Sequence, residues 1–140
     1  PLEAAEAVKN LQDHSTSNPC SISQKAALAA LSYPDEWTKK MGEEFQLRRD
    51  YLISRIDKIP SLGYIRPQGA FYLFCDISQT GLKSQDFSMR LLNEARVAVI
   101  PGDGFGCDDY IRLSFTLNLE TIKKGIDSLE QWLKQLPKKS

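Results

Sequence analysis

Histidine is almost absent from this chain: His14 stands alone in 140 residues. A single imidazole with no serine or acid at a readable spacing offers neither a nucleophile–base pair nor a metal set, and it reads as structural. Cysteine is scarce too. Cys20, Cys75 and Cys107 form an odd set without C-x-x-C spacing, which argues against a disulfide framework and against zinc. Cys75 reads as a small core residue within an apolar strand. Cys107 lies in a loop but, with no histidine nearby, reads as an inert thiol. Net charge is missing as well: 18 basic and 18 acidic residues cancel, so there is no electrostatic case for nucleic acid or an anionic membrane surface. No apolar run approaches bilayer length, and the first residues lack the basic-then-apolar plan of a signal peptide. The expectation is a soluble, cytoplasmic protein with no metal site. Internal repeats, linkers, catalytic carboxylate pairs and nucleophile motifs are absent from the pattern.

What is present is enough apolar content, 41%, for one real core. Pro1-Leu2-Glu3 begins in mid-pattern without a methionine or capping signal, which leads us to expect part of a longer protein. Threefold spacing of Leu2, Ala5, Val8 and Leu11 predicts a helix over Leu2–Gln12. A second helix is expected from near Ser21 to Leu31, broken by Ser32-Tyr33-Pro34. Pro34 fits the first turn of a long third helix with Trp37, Met41, Phe45, Leu52, Ile56 and Ile59 as its apolar stripe. Lys39, Lys40, Arg48, Arg49 and Arg55 fall on its solvated face. After Pro60 the period changes to two. Gly63–Arg66 and Ala70–Ile77 are predicted strands joined by Pro67-Gln68-Gly69, the second with both faces covered. Ser84–Ala95 follows as a helix with Phe87, Leu91, Leu92 and Ala95 inward, then Val97–Ile100 as a short strand. Leu119–Leu136 closes as a helix, with Leu119, Ile122, Ile126, Leu129 and Leu133 inward and Asn118 or Thr116 as its cap. This order describes an α+β two-layer domain: a mostly antiparallel sheet of three or four strands with helices packed on one side.

The stretch Val99–Phe115 organises the rest. Alternation along Tyr110–Phe115 sets Ile111, Leu113 and Phe115 on one face and Tyr110, Arg112 and Ser114 on the other. A guanidinium in mid-strand is costly to bury without an anion. Two readings stand side by side: a clamp whose planar fork matches a carboxylate, or an arginine paired to Asp108, Asp109 or another protein acid. Ahead of it, Pro101–Gly106 carries Gly102, Gly104 and Gly106, which permit positive φ and close approach. This is not a phosphate loop, because the Walker lysine is missing and a strand follows. Ser15, Thr16, Ser17 and Asn18 offer hydroxyl and amide donors ahead of a helix N-terminus, suited to an anion or to simple capping.

Five motifs in order, S-T-S-N-P-C-S-I-S-Q-K-A-A-L-A-A-L, R-R-D-Y-L, P-Q-G-A-F-Y-L-F, V-A-V-I-P-G-D-G-F-G and Y-I-R-L-S-F, resemble the class I/II aminotransferases. These are pyridoxal-phosphate enzymes of the aspartate aminotransferase type, fold type I, and the likeness covers nearly the whole chain. It implies that residues 1–31 lead out of a large domain and residues 32–140 form the C-terminal small domain. It implies that Arg112 binds the substrate α-carboxylate, with Phe105 and Gly104 on a mobile segment beside it. Ser15, Thr16, Ser17 and Asn18 are implied to approach the cofactor phosphate, in the family often that of a neighbouring subunit. The expected partners are amino acids and 2-oxo acids, the large domain, and a second copy in a homodimer.

The family's Schiff-base lysine belongs to a serine-lysine, glycine-arginine segment that does not occur among these residues. The eleven lysines fall on polar helix faces, at helix ends or in tails. The resemblance therefore implies a chain with no catalytic residue of its own, inactive by itself, that acts within a transaminase, with aspartate as donor by likeness. The other hypothesis is a stand-alone carboxylate-binding or protein-interaction module of the same α+β fold.

Overall fold

The computed structural model describes residues 1–137. The chain divides into two compact units, Pro1–Trp37 and Thr38–Ser140. The first is built from α1 (Leu2–Ser15) and α2 (Ser21–Ser32). α1 stops where the amides of Thr16 and Ser17 both reach back to the Gln12 carbonyl, and Ser17 then turns the chain at φ 59°. α2 stops at Tyr33, which proline at the next position forces into an extended conformation with ψ 153°. No residue of either helix is buried, so the apolar stripe Leu2, Val8, Leu11 faces outward.

The second unit holds α3 (Glu36–Ile56) from Thr38 on, β1 (Gly63–Ile65), β2 (Tyr72–Asp76), α4 (Ser84–Ala95), β3 (Ile100–Pro101), β4 (Tyr110–Ser114) and α5 (Leu119–Gln135). Short 3-10 turns stand at Ser78–Thr80 and Asp103–Phe105. The four strands make one antiparallel sheet in the order β1-β2-β4-β3, two hairpins joined along β2 and β4. One face of this sheet carries Leu73, Cys75 and Ile111 into a core with Leu52, Ile53 and Ile56 of α3, Phe87 and Leu91 of α4, and Ile122, Ile126 and Leu129 of α5. The architecture is the α+β two-layer domain that the element order implied.

Several expectations shift in detail. Pro34 precedes α3 instead of sitting in its first turn. The stripe of α3 is buried only at its C-terminal end: Met41 is 57% exposed, and Trp37, which belongs to the first unit, is 76% exposed. Arg55 is not on a solvated face. Its guanidinium bonds to the Tyr51 hydroxyl and bridges to Asp127 at 2.6 Å and Glu130 at 3.0 Å, tying α3 to α5. Leu92 lies outward, and Trp132 takes the inward place on α5. Its indole meets the Phe87 ring edge-on at 5.0 Å and donates to Glu94 Oε2. Residues 97–99 run without ladder pairing, so β3 begins only at Ile100. β2 is interior, yet only one of its faces is covered within this unit; Tyr72 remains exposed. The α5 cap is Asn118, whose Oδ1 accepts from the Thr121 amide at 2.9 Å.

Candidate functional site

Arg112 lies at the centre of β4, opposite Phe74 on β2 and Ile100 on β3. Its neighbour Ile111 is fully buried. Strand alternation therefore sends Arg112 to the open face, together with Tyr110 of the same strand and with Tyr72 and Phe74 of β2. The guanidinium carbon stands 5.0 Å from the Tyr72 ring centroid and 5.3 Å from that of Phe105. Phe74 stacks on Tyr110 at 4.9 Å and meets Phe105 edge-on at 6.0 Å. Ring faces hold a guanidinium by about 0.5–2 kcal/mol each, but they take none of its in-plane N–H donors as a carboxylate would.

Among the described residues no carboxylate lies within ion-pair distance of Arg112. Asp108 and Asp109 face Lys83 instead, at 3.7 and 3.0 Å. The pairing that competed with the clamp reading is thus absent here.

The glycine-rich turn that carries Phe105 is closed by its own backbone. Gly102 donates to the Tyr110 carbonyl at 2.8 Å and accepts from the amides of Phe105 and Cys107. A Cβ on Gly102 would come within 2.3 Å of the Cys107 carbonyl oxygen and 2.4 Å of that of Tyr110. Gly106 needs its positive φ of 76°, whereas a Cβ on Gly104 would meet nothing within 4 Å. The close approach is therefore between strands of the turn itself.

The start of α4 grips this turn from below. Ser84, fully buried, donates through Oγ to Asp108 Oδ1 at 2.9 Å and accepts from the Asp103 amide at 3.1 Å. Its own amide donates to the Asp108 carbonyl at 2.8 Å. Gln85 Nε2 donates to Asp103 Oδ2 at 3.0 Å. The hydrogen bonds from Ser84, with the Lys83 charge behind them, hold the Asp108 carboxyl below the usual carboxylate range.

The structure brings Arg112 and Phe105 into contact, with Gly104 beside Phe105 in the same turn. Ser15, Thr16, Ser17 and Asn18 belong to the first unit. Ser15 Oγ donates to the Leu11 carbonyl, Thr16 caps α1, and the α2 cap is Cys20. His14 is exposed in the last turn of α1, and Cys107 is half-buried. Cys75 is fully buried, and burial pushes its thiol up to about 12, which leaves it unreactive. No described lysine is buried; ion pairs to Asp109 and Glu120 push the ammonium groups of Lys83 and Lys123 up rather than down. Among the described residues no group of three or more His, Cys, Asp or Glu could hold a metal ion, and no helix is long and apolar enough to cross a membrane. Sequence reasoning missed Tyr72 and Ser84. Period-two alternation could have put Tyr72 on the Arg112 face only if the β2–β4 register were known.

The two-layer α+β domain thus presents, on the open face of its sheet, an arginine held among aromatic rings with no described carboxylate against it. Residues 2–129 match the family Aminotransferase class I and II, and the chain belongs to that family. It is 37% identical over 138 residues to the aspartate aminotransferase of Geobacillus stearothermophilus, covering 95% of this chain and 35% of that protein. Among solved structures, the aspartate aminotransferase of Rhizobium meliloti superposes with a TM-score of 0.91 at 32% identity, over 98% of this chain and 37% of that one. The aromatic aminotransferase of Pyrococcus horikoshii superposes at 0.84 with 35% identity, over 90% of this chain and 35% of that one. The chain thus spans about a third of the length of the relatives it matches.

Proposed function

We propose that this chain supplies the substrate-carboxylate side of the active site of a pyridoxal-phosphate-dependent aminotransferase, which moves an amino group between an amino acid and a 2-oxo acid. The observation that carries the reading is Arg112: its ring contacts fix the guanidinium, and no described carboxylate occupies its donors. A substrate α-carboxylate is the planar, two-oxygen anion that such a fork matches. Aspartate is the donor by likeness to relatives that carry that name. In this reading residues 32–140 act as the small domain, residues 1–31 lead into it, and the whole protein is a cytoplasmic homodimer.

The described residues do not fit the covalent seat of the cofactor, since every described lysine is at least partly solvated. The cofactor-bearing lysine is assigned to the portion of the relatives' length that this chain does not span, and the chain alone is inactive. Thr16, Ser17 and Asn18 are exposed and carry donors of the type a phosphate takes. Pyridoxal phosphate, when bound, supplies the electron sink. This chain's own contribution is orientation: a carboxylate held by Arg112 sets which substrate bond faces the cofactor, and the aromatic rings around it exclude water.

The test is Arg112→Lys in the full-length protein, assayed in both directions. Loss of the bidentate match should lower kcat/KM for L-aspartate and for 2-oxoglutarate together, by about 10²-fold. An unchanged kcat/KM for both would remove the assignment.

A further inference from the structure

Phe105 is half of the ring contact on Arg112, yet it is an exposed side chain on a turn, and its ring meets only Phe74 and Arg112 among the described residues. Its position must be set from elsewhere. Gly102 fixes the shape of the turn through backbone bonds to Tyr110 and Cys107, but those bonds lie within the turn and its own hairpin. Its side-chain hydrogen bonds and ion pairs to other elements converge on three consecutive residues at the start of α4, beside one backbone bond from the Ile77 amide to the Asp109 carbonyl at 2.8 Å. Lys83 pairs with Asp109, Ser84 bonds to both Asp103 and Asp108, and Gln85 bonds to Asp103. Ser84 is the centre of this grip. It is fully buried, its Oγ both donates and accepts, and the two residues it touches bracket Phe105 on either side.

We propose that Ser84 is a positioning residue for substrate binding: by tying Asp103 and Asp108 to the start of α4, it holds Phe105 over the Arg112 guanidinium. This rests on the reading of Arg112 as the carboxylate clamp. The turn consequently behaves as an extension of α4 and the sheet rather than as an independently flexible flap. Loss of the Ser84 hydroxyl removes one partner from the Asp103 amide and one from the exposed Asp108 carboxylate. The turn can then tilt, and Arg112 loses one of its two ring neighbours before any substrate arrives. That cost falls on binding, not on chemistry.

The experiment is a double-mutant cycle of Ser84→Ala and Phe105→Ala in the full-length protein, read as KM and kcat for L-aspartate and 2-oxoglutarate. Ser84→Ala is expected to raise both KM values by about three- to tenfold, equivalent to roughly one charged hydrogen bond, with kcat changed less. In the Phe105→Ala background the same substitution should add almost nothing. An equal multiplication in both backgrounds overturns the inference, because a merely structural role is blind to Phe105. So does an unchanged KM in Ser84→Ala where Phe105→Ala raises it.

A second arm needs no turnover. In the 140-residue chain the ring currents of Tyr72 and Phe105 should displace the NMR signal of the Arg112 Nε–H. Ser84→Ala should move it toward its Phe105→Ala position, while Asp108→Asn, which keeps the acceptor oxygen, should leave it near the wild-type position. A signal unmoved by Ser84→Ala overturns the proposal. If Phe105→Ala and Arg112→Lys leave every KM unchanged while the signal moves as expected, the clamp reading fails and the geometry of the grip stands.

Discussion

The two faces of β2 and β4 are built from alternate residues of the same strands, and they differ in almost every physical respect. Leu73, Cys75 and Ile111 are fully buried against three helices. Tyr72, Phe74 and Arg112, each one residue away, form an open surface of rings around a charge that no described acid neutralises. The first face is complete in itself. The second is the face on which the proposed carboxylate site rests. A single step along the strand separates the residues that build the core from those proposed to recognise substrate.

Substitutions on adjacent residues should therefore have opposite signatures. Ile111→Ala empties a fully buried site and should cost about 2–5 kcal/mol in urea unfolding of the chain. Arg112→Ala, next to it, should change stability by less than about 1 kcal/mol. Equal losses from both would break the distinction between the faces. Gly102→Ala tests where the faces meet, because its Cβ would collide with two carbonyl oxygens. It should cost about 1–3 kcal/mol through strain in the turn, while Gly104→Ala, with open space around it, should be nearly silent.

Smaller effects sharpen the picture. Ser88 on α4 buries its hydroxyl with no hydrogen-bond partner among the described residues. Ser88→Ala should thus raise stability by up to about 1 kcal/mol, a gain available only on the closed face. The smallest expected effect concerns acid. The folded structure holds the Asp108 carboxyl below its ordinary value, so the stabilisation it gives is complete above the unfolded aspartate value of about 3.9 and is lost as pH falls through the lower folded one. Glu94, Glu120 and Glu130 shift in the same direction, so the informative quantity is a difference. Asp108→Asn should flatten the acid limb of stability against pH relative to wild type. An identical limb would show that the contacts to Ser84 and Lys83 do not favour the charged form.

Much of the closed face was legible in sequence. The apolar spacing of Ser84–Ala95 and Leu119–Gln135 placed α4 and α5 within a residue, and alternation over Tyr110–Phe115 separated Ile111 from Arg112 correctly. Periodicity shows which residues share a face but not whether anything covers it. That is why Trp37 and Met41 are exposed where an inward stripe was expected. The open face was legible only as an arginine in need of an anion. Tyr72 joins it through a register of Tyr72 with Ser114 and Phe74 with Arg112, and Ser84 reaches Asp108 across 24 residues. Pairings of that range leave no trace in local spacing. Val97–Val99 is apolar enough for a strand, yet no ladder forms there.

Arg112, in the proposed function, reads a carboxylate on the substrate. The most direct test compares, in the full-length protein, L-aspartate with the corresponding amine that lacks the α-carboxylate. The ratio of kcat/KM for the two should be large in the wild type and should shrink by about 10²-fold in Arg112→Ala, since only the compound with the α-carboxylate loses its partner. A ratio preserved in Arg112→Ala would contradict the account, placing carboxylate recognition elsewhere and leaving Arg112 as part of the aromatic surface alone.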